Sequence, residues 1–146
     1  MAQFAAILLL SIFTCPIFPK DQGTDNNLAQ NPNHTVCLSY EPAVVEIMGT
    51  VVRKTFNNAQ DQPETYWFLE LPQPICTLED SKEPDLNYSQ KDVRSVQLIF
   101  KNQSMFGTYK NLLGKKVVAS GTLSAGITAH HHTGILLTVG ELRKVN

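Results

Sequence analysis

Five short stretches of this chain alternate apolar and polar residues with a period of two, and one stretch of helical spacing falls between the third and fourth. Period-two alternation marks a strand that lays one face on a core. The first strand is read over Val44 to Phe56, with Val45, Ile47 and Val51 on one parity and Gly49 between them. The second covers Tyr66 to Leu71, where Trp67, Leu69 and Leu71 alternate with Tyr66, Phe68 and Glu70, and Pro72 and Pro74 limit further ladder pairing. The third covers Val93 to Phe100, the fourth Lys116 to Ser124 and the fifth Gly134 to Val145. Between the third and fourth, Met105, Tyr109 and Leu112 recur at helical spacing over Ser104 to Gly114, and Gly114 suits a helix stop.

The order β-β-β-α-β-β predicts an all-β fold with one short helix. It is that of a five-stranded OB-like Greek-key barrel, with the helix between strands three and four. Gly49 and Gly121 fall in mid-strand, where a residue without Cβ lets a strand coil sharply enough to close such a barrel. A generic antiparallel sandwich is the alternative.

Ahead of this pattern the composition changes. Met1 to Pro19 carries no charged side chain, and Phe4 to Phe13 is almost wholly apolar. A run this short reads as the core of an export signal, residues 1–19, and not as a membrane span of the mature protein. Cys15 raises a lipid anchor, but Ile12-Phe13-Thr14 lacks the small residue that such processing needs just before the cysteine. Residues 20–35 are polar and rich in Asn, Gln and Asp, which predicts a flexible linker, and the domain is placed at 36–146. The expected destination is the periplasm or the exterior. In that oxidising setting Cys37 and Cys76, the two cysteines left after the leader, are expected to form a disulfide.

The net charge of −1 argues against a nucleic-acid partner, which would need a basic surface. No G-x-S-x-G, H-E-x-x-H or paired-cysteine motif is present. The chemistry that stands out is His130-His131-His132, between strands four and five. In an extended segment His130 and His132 would face one way and His131 the other. The first and third would sit roughly 6–7 Å apart, which suits two imidazoles on one Zn or Cu ion. A third ligand would have to come from His34, from an acidic residue of the loop Thr77 to Asp92, or from a second molecule.

Three functional readings follow. The leading one is a binding module without catalytic residues or a required cofactor. It would recognise a small ligand, a glycan or an envelope protein through Tyr66, Phe68, His130, His131 and His132, because the loop joining strands four and five walls the usual OB groove. Tyr66 and Phe68 have a bland alternative, as a second packing surface under the helix or the N-terminal segment. The second functional reading is a divalent metal-binding protein using His130 and His132. The third is a hydrolase that pairs these imidazoles with Ser120 or Ser124. The loop Thr77 to Asp92 carries more carboxylates than lysines, which suits a solvated loop, a cation or a basic partner.

Taken together, Cys37 to Pro42, VEIMGTV (45–51), YWFLELPQPICT (66–77), VQLIF (96–100), LLGKKVVASGTL (112–123) and AHHHTGILLTV (129–139) resemble a family of small exported bacterial proteins catalogued as a domain of unknown function. The resemblance spans roughly residues 37 to 142 and is most specific from Leu113-Gly114-Lys115 to the His-His-His-Thr hairpin. Exported OB-fold proteins also share a looser Gly-Lys-x-Val-x-Val-x-Gly pattern, matched by Gly114 to Gly121 with Ala119 at the second Val position. The resemblance implies an OB-like exported domain and implies no activity.

Overall fold

The computed structural model describes residues 37–146. The expected leader, the linker and His34 lie outside the described residues. In chain order the elements are β1 (Cys37–Leu38), β2 (Val44–Asn57), β3 (Pro63–Thr77), β4 (Gln90–Ile99), α1 (Ser104–Tyr109), β5 (Lys116–Ala125) and β6 (Ile135–Lys144). A short 3₁₀ turn, Lys110–Leu112, continues α1. The described residues are therefore mostly β with one short helix. The five strands expected from alternation correspond to β2 through β6.

Two details differ from expectation. A two-residue strand, β1, pairs in parallel with the end of β3, setting Cys37 opposite Cys76. Strand β3 does not stop at Leu71 but runs through both prolines to Thr77. Its pairing with β4 shifts register between Glu70 and Ile75. The irregular stretch holds Pro72 and Pro74 where no ladder hydrogen bond is asked of them.

The strands form a six-stranded sheet in which β3 pairs with β2, β2 with β5, β5 with β6 and β6 with β4. Strand β4 then pairs with β3 again, so the sequence of neighbours returns to its start. The β4–β6 pairing is parallel, and the other pairings of this circuit are antiparallel. Ile47, Val51, Leu69, Val96, Val117 and Leu137 form the heart of the core within this circuit. Helix α1 packs against one margin of it. There the Phe106 ring meets Trp67 and Phe100 edge-on, with centroids 5.9 and 4.7 Å away. Gly114, at φ +71°, turns the chain from the 3₁₀ turn into β5.

Gly121 is where the strand pair β5–β6 changes register, and a Cβ there would lie 2.1 Å from the Thr138 carbonyl oxygen. The backbone must shift to admit any side chain. Gly121→Ala is expected to lower stability by about 1–3 kcal/mol, the usual cost of overpacking. Chemical denaturation tests this, and an unchanged midpoint would contradict the close approach.

Cys37 and Cys76 are joined by a disulfide. Among the described residues no helix is long and apolar enough to cross a membrane.

Candidate functional site

The odd positions of β3 turn Trp67 and Leu69 into the core. The even positions stand on the other face, where Val52 pairs with Phe68, Lys54 with Tyr66 and Phe56 with Glu64. This outer face of β2 and β3 is covered in part by the loop 126–134, which links β5 to β6. The Gly126 N–H donates to the Gly134 carbonyl at 2.8 Å and closes the base of the loop.

The loop is fastened by Gln97 of β4, which sits directly opposite Phe68 and is 2% exposed. Its Oε1 accepts the His132 N–H at 2.7 Å, and its Nε2 donates to the His130 carbonyl at 3.1 Å. The Gln97 backbone N–H donates to Thr133 Oγ1 at 3.0 Å. The side-chain amide thus takes the place of a peptide unit from a neighbouring strand, satisfying a donor and an acceptor of the loop at once.

Held this way, the His132 ring lies flat on Phe56, with centroids 3.9 Å apart and planes 5° from parallel. The same ring meets Tyr66 at 4.6 Å edge-on. Phe56 rests in turn on Phe68, and Lys54 Nζ lies 5.0 Å from the Phe68 centroid. Tyr66 donates its hydroxyl proton to Glu64 Oε2, and Asn58 Nδ2 donates to Glu64 Oε1 at 2.9 Å. His130 Nδ1 stands 3.9 Å from Glu64 Oε2. The hydrogen bond from Tyr66, then that from Asn58, holds the Glu64 carboxyl below its ordinary range, with smaller help from His130 and His132. The same hydrogen bond to Glu64 pushes the Tyr66 hydroxyl upward.

Between the β2–β3 loop and the loop 126–134 these residues leave a cleft of about 220 Å³. Phe56, Tyr66 and His132 form its aromatic wall, with Asn58, Gln60 and His130 around them.

Of the residues singled out in the sequence, Tyr66, His130 and His132 are brought together here. Phe68 is not presented to a ligand: it is 1% exposed and supports the wall from beneath. It forms a second packing surface, but under the loop 126–134 and not under the helix. His131 also departs from expectation. The segment 126–134 is not extended, so strand alternation does not govern its side chains. The His131 ring folds back into its own loop, where Nδ1 accepts the N–H groups of Ile127 at 3.0 Å and Thr128 at 3.1 Å. Among the described residues no group of three or more His, Cys, Asp or Glu side chains is placed to hold a metal ion. The His130 side chain is 72% exposed at the rim, whereas His132 lies flat on Phe56 with its Nε2 buried and unpartnered among the described residues. Ser120 and Ser124 lie on β5 opposite Glu141 and Leu136. Neither hydroxyl is hydrogen-bonded to an imidazole among the described residues.

Sequence reasoning missed Phe56, Asn58, Gln60, Glu64 and Gln97. Phe56 and Glu64 were open to discovery, since folding strands one and two into a hairpin puts them opposite one another.

An acceptor bond at His131 Nδ1 requires the neutral ring with its proton on Nε2. Burial, followed by the neighbouring His130 and His132, depresses the His131 pKa below its ordinary 6.5. The folded protein favours the neutral ring, so this brace is intact above the unfolded pKa and is lost as the pH falls through the folded value. In ¹H–¹⁵N spectra the Ile127 and Thr128 amides are expected to move together below pH 6.5, with the midpoint of the His131 ring. Amide positions indifferent to that titration would contradict the bond.

The described part of the chain is thus a small, mostly β domain with a cleft walled by two loops on the outside of one hairpin. Residues 95–143, from β4 through most of β6, match the family described as "Domain of unknown function (DUF4431)". That stretch contains Gln97, α1 and the whole histidine loop, so the resemblance to a family of unknown function holds over the part of the chain that fastens the cleft. No curated protein matches the chain.

Proposed function

We propose that the protein is an exported OB-like binding module whose ligand seats in the cleft beside Tyr66, His130 and His132. The circuit of strand neighbours, its parallel β4–β6 seam and a helix between β4 and β5 support an OB-like Greek-key barrel. The Cys37–Cys76 disulfide supports an oxidising compartment. The observation that carries the reading is the cleft itself. It lies on the outer face of the first hairpin, between the two loops that bound the ligand groove of OB folds.

The cleft also suggests what it takes. At about 220 Å³ it is smaller than the pockets that enclose drug-sized molecules, roughly 300–1,000 Å³. It suits one ring of a longer ligand. Glu64 is engaged by Tyr66 and Asn58 and does not line the cleft, whose aromatic wall has the amides of Asn58 and Gln60 at its edge. A sugar residue of a glycan fits that surface better than a charged group.

Titration of the full-length chain with the trisaccharide of N-acetylglucosamine, followed by ¹H–¹⁵N spectra, tests the reading. Shifts are expected at Phe56, Gln60, Tyr66, His130 and His132, and they should be lost in Tyr66→Ala. Absence of shifts, or shifts that map elsewhere, would count against a glycan at this site.

A further inference from the structure

The loop 126–134 is held at two levels. Its base is fastened by groups that do not titrate: Gly126 bonds to the Gly134 carbonyl, and Gln97 to the His132 N–H, the His130 carbonyl and Thr133 Oγ1. The base is also tight, since a Cβ on Gly126 would lie 2.1 Å from the Thr133 carbonyl oxygen. The tip, residues 127–131, is held differently. His131 Nδ1 accepts the N–H groups of Ile127 and Thr128, and the His131 N–H donates to the Thr128 carbonyl at 3.0 Å. Two of these three bonds end on one imidazole nitrogen.

The same tip walls the cleft. Ala129 and His130 line it on one side, and Asn58 and Gln60 of the β2–β3 loop line it on the other. An imidazole nitrogen that accepts two N–H groups has no place for a proton. Once protonated, Nδ1 becomes a third donor aimed at two others, and both bonds are lost together. Gln97 keeps its bonds in either state, so acid frees the tip while the base stays fastened.

The surroundings of the ring keep it neutral near neutral pH. Burial of the His131 ring opposes its charge, and so do its neighbours His130 and His132. Strand β4 presents only the uncharged Gln97 to the loop, and β3 brings Glu64 to 3.9 Å from His130 Nδ1. The hydrogen bonds from Tyr66 and Asn58 hold the Glu64 carboxyl below its ordinary range, so it stays ionised while His131 titrates. Among the described residues the three imidazoles belong to no group of three or more side chains placed to hold a metal ion.

We propose that His131 is a pH-operated latch on the cleft: its neutral ring holds the wall formed by Ala129 and His130 in place, and its protonation releases that wall, so that a ligand is held near neutral pH and let go in acid. The release of ligand rests on the reading of this cleft as a binding site, whereas the movement of the tip does not.

The test uses the full-length chain and the His131→Asn variant, with and without the trisaccharide of N-acetylglucosamine. The asparagine Oδ1 can accept the same two N–H groups at any pH. Without ligand, the Ile127, Thr128 and His131 amides are expected to lose their protection from hydrogen exchange below the midpoint of the His131 ring. The His132 amide, held by Gln97, should keep its protection, and the variant should keep protection at all four positions. With ligand, only the fraction of molecules with a neutral His131 is competent, so Kd should rise about tenfold at one pH unit below the midpoint. In the variant it should change less than twofold. Tip amides that stay protected through the midpoint would overturn the latch. So would a variant that loses protection as the wild type does, or a Kd that is level while the tip opens. Absence of binding at every pH would instead overturn the glycan reading, and the exchange measured without ligand decides the latch separately.

Discussion

Replacing Cys37 and Cys76 by serine is expected to destabilise the protein by about 4 kcal/mol. The bridge spans 39 residues, and closing a loop of that length constrains the unfolded chain by this amount on the entropic account. For a domain of this size the loss corresponds to a fall on the order of 15 °C in Tm. Thermal unfolding with and without reductant measures it, and a shift of only a degree or two would mean that β1 is held equally well by its ladder. The effect should reach beyond β1. Thr77, next to Cys76, donates its hydroxyl to Tyr40 Oη at 3.1 Å and accepts the Gln90 N–H at 3.0 Å. Gln90 Nε2 in turn donates to the Gly134 carbonyl at 2.8 Å, at the base of the histidine loop.

Gln97→Leu is the second substitution with a large expected effect, about 2–4 kcal/mol. Leucine fills a similar volume, so the loss is one of hydrogen bonds. The His132 N–H and the His130 carbonyl both lose their partner, and each half-buried backbone group left unpaired costs about 1–2 kcal/mol. The cleft should suffer with the fold. His132 stacks on Phe56 only while its backbone is fastened, so the ring-current displacement of the His132 resonances is expected to disappear in the variant. A Gln97→Leu protein that keeps wild-type stability and the ring-current displacement of His132 would show that the loop holds itself.

These two residues illustrate what the sequence discloses and what it withholds. Val45, Ile47 and Val51 announce β2 because a strand with one face on a core repeats every second residue, and that rule is local. The disulfide follows from counting the cysteines beyond the expected leader. Gln97 obeys the same alternation, yet its polar parity reads as a face toward water. It is buried because a loop more than thirty positions along the chain folds over it. Phe68 is hidden for the same reason. Pro72 and Pro74 read as the end of a strand, because a proline lacks the N–H that a ladder uses. A register shift removes that demand, and register is set by the partner strand. Three adjacent histidines stood out at once, but their separate tasks depend on the loop's path, which alternation does not describe. One ring stacks on Phe56, one braces its own loop and one stands at the rim.

The circuit of strand neighbours has a consequence for behaviour in crowded solution. Among the described residues each of β2 through β6 has at least two partner strands, each along part of its length, and the two-residue β1 has one. A sheet with exposed margins presents unpaired backbone groups that recruit strands from other chains. Among the described residues only the overhangs remain open, as where β4 and β6 meet over three residue pairs, Gln97 to Ile99 with Leu136 to Thr138, and the short β1 is pinned by a covalent bridge. Closing the circuit therefore limits recruitment of foreign strands by geometry, where a net charge of −1 could offer little repulsion.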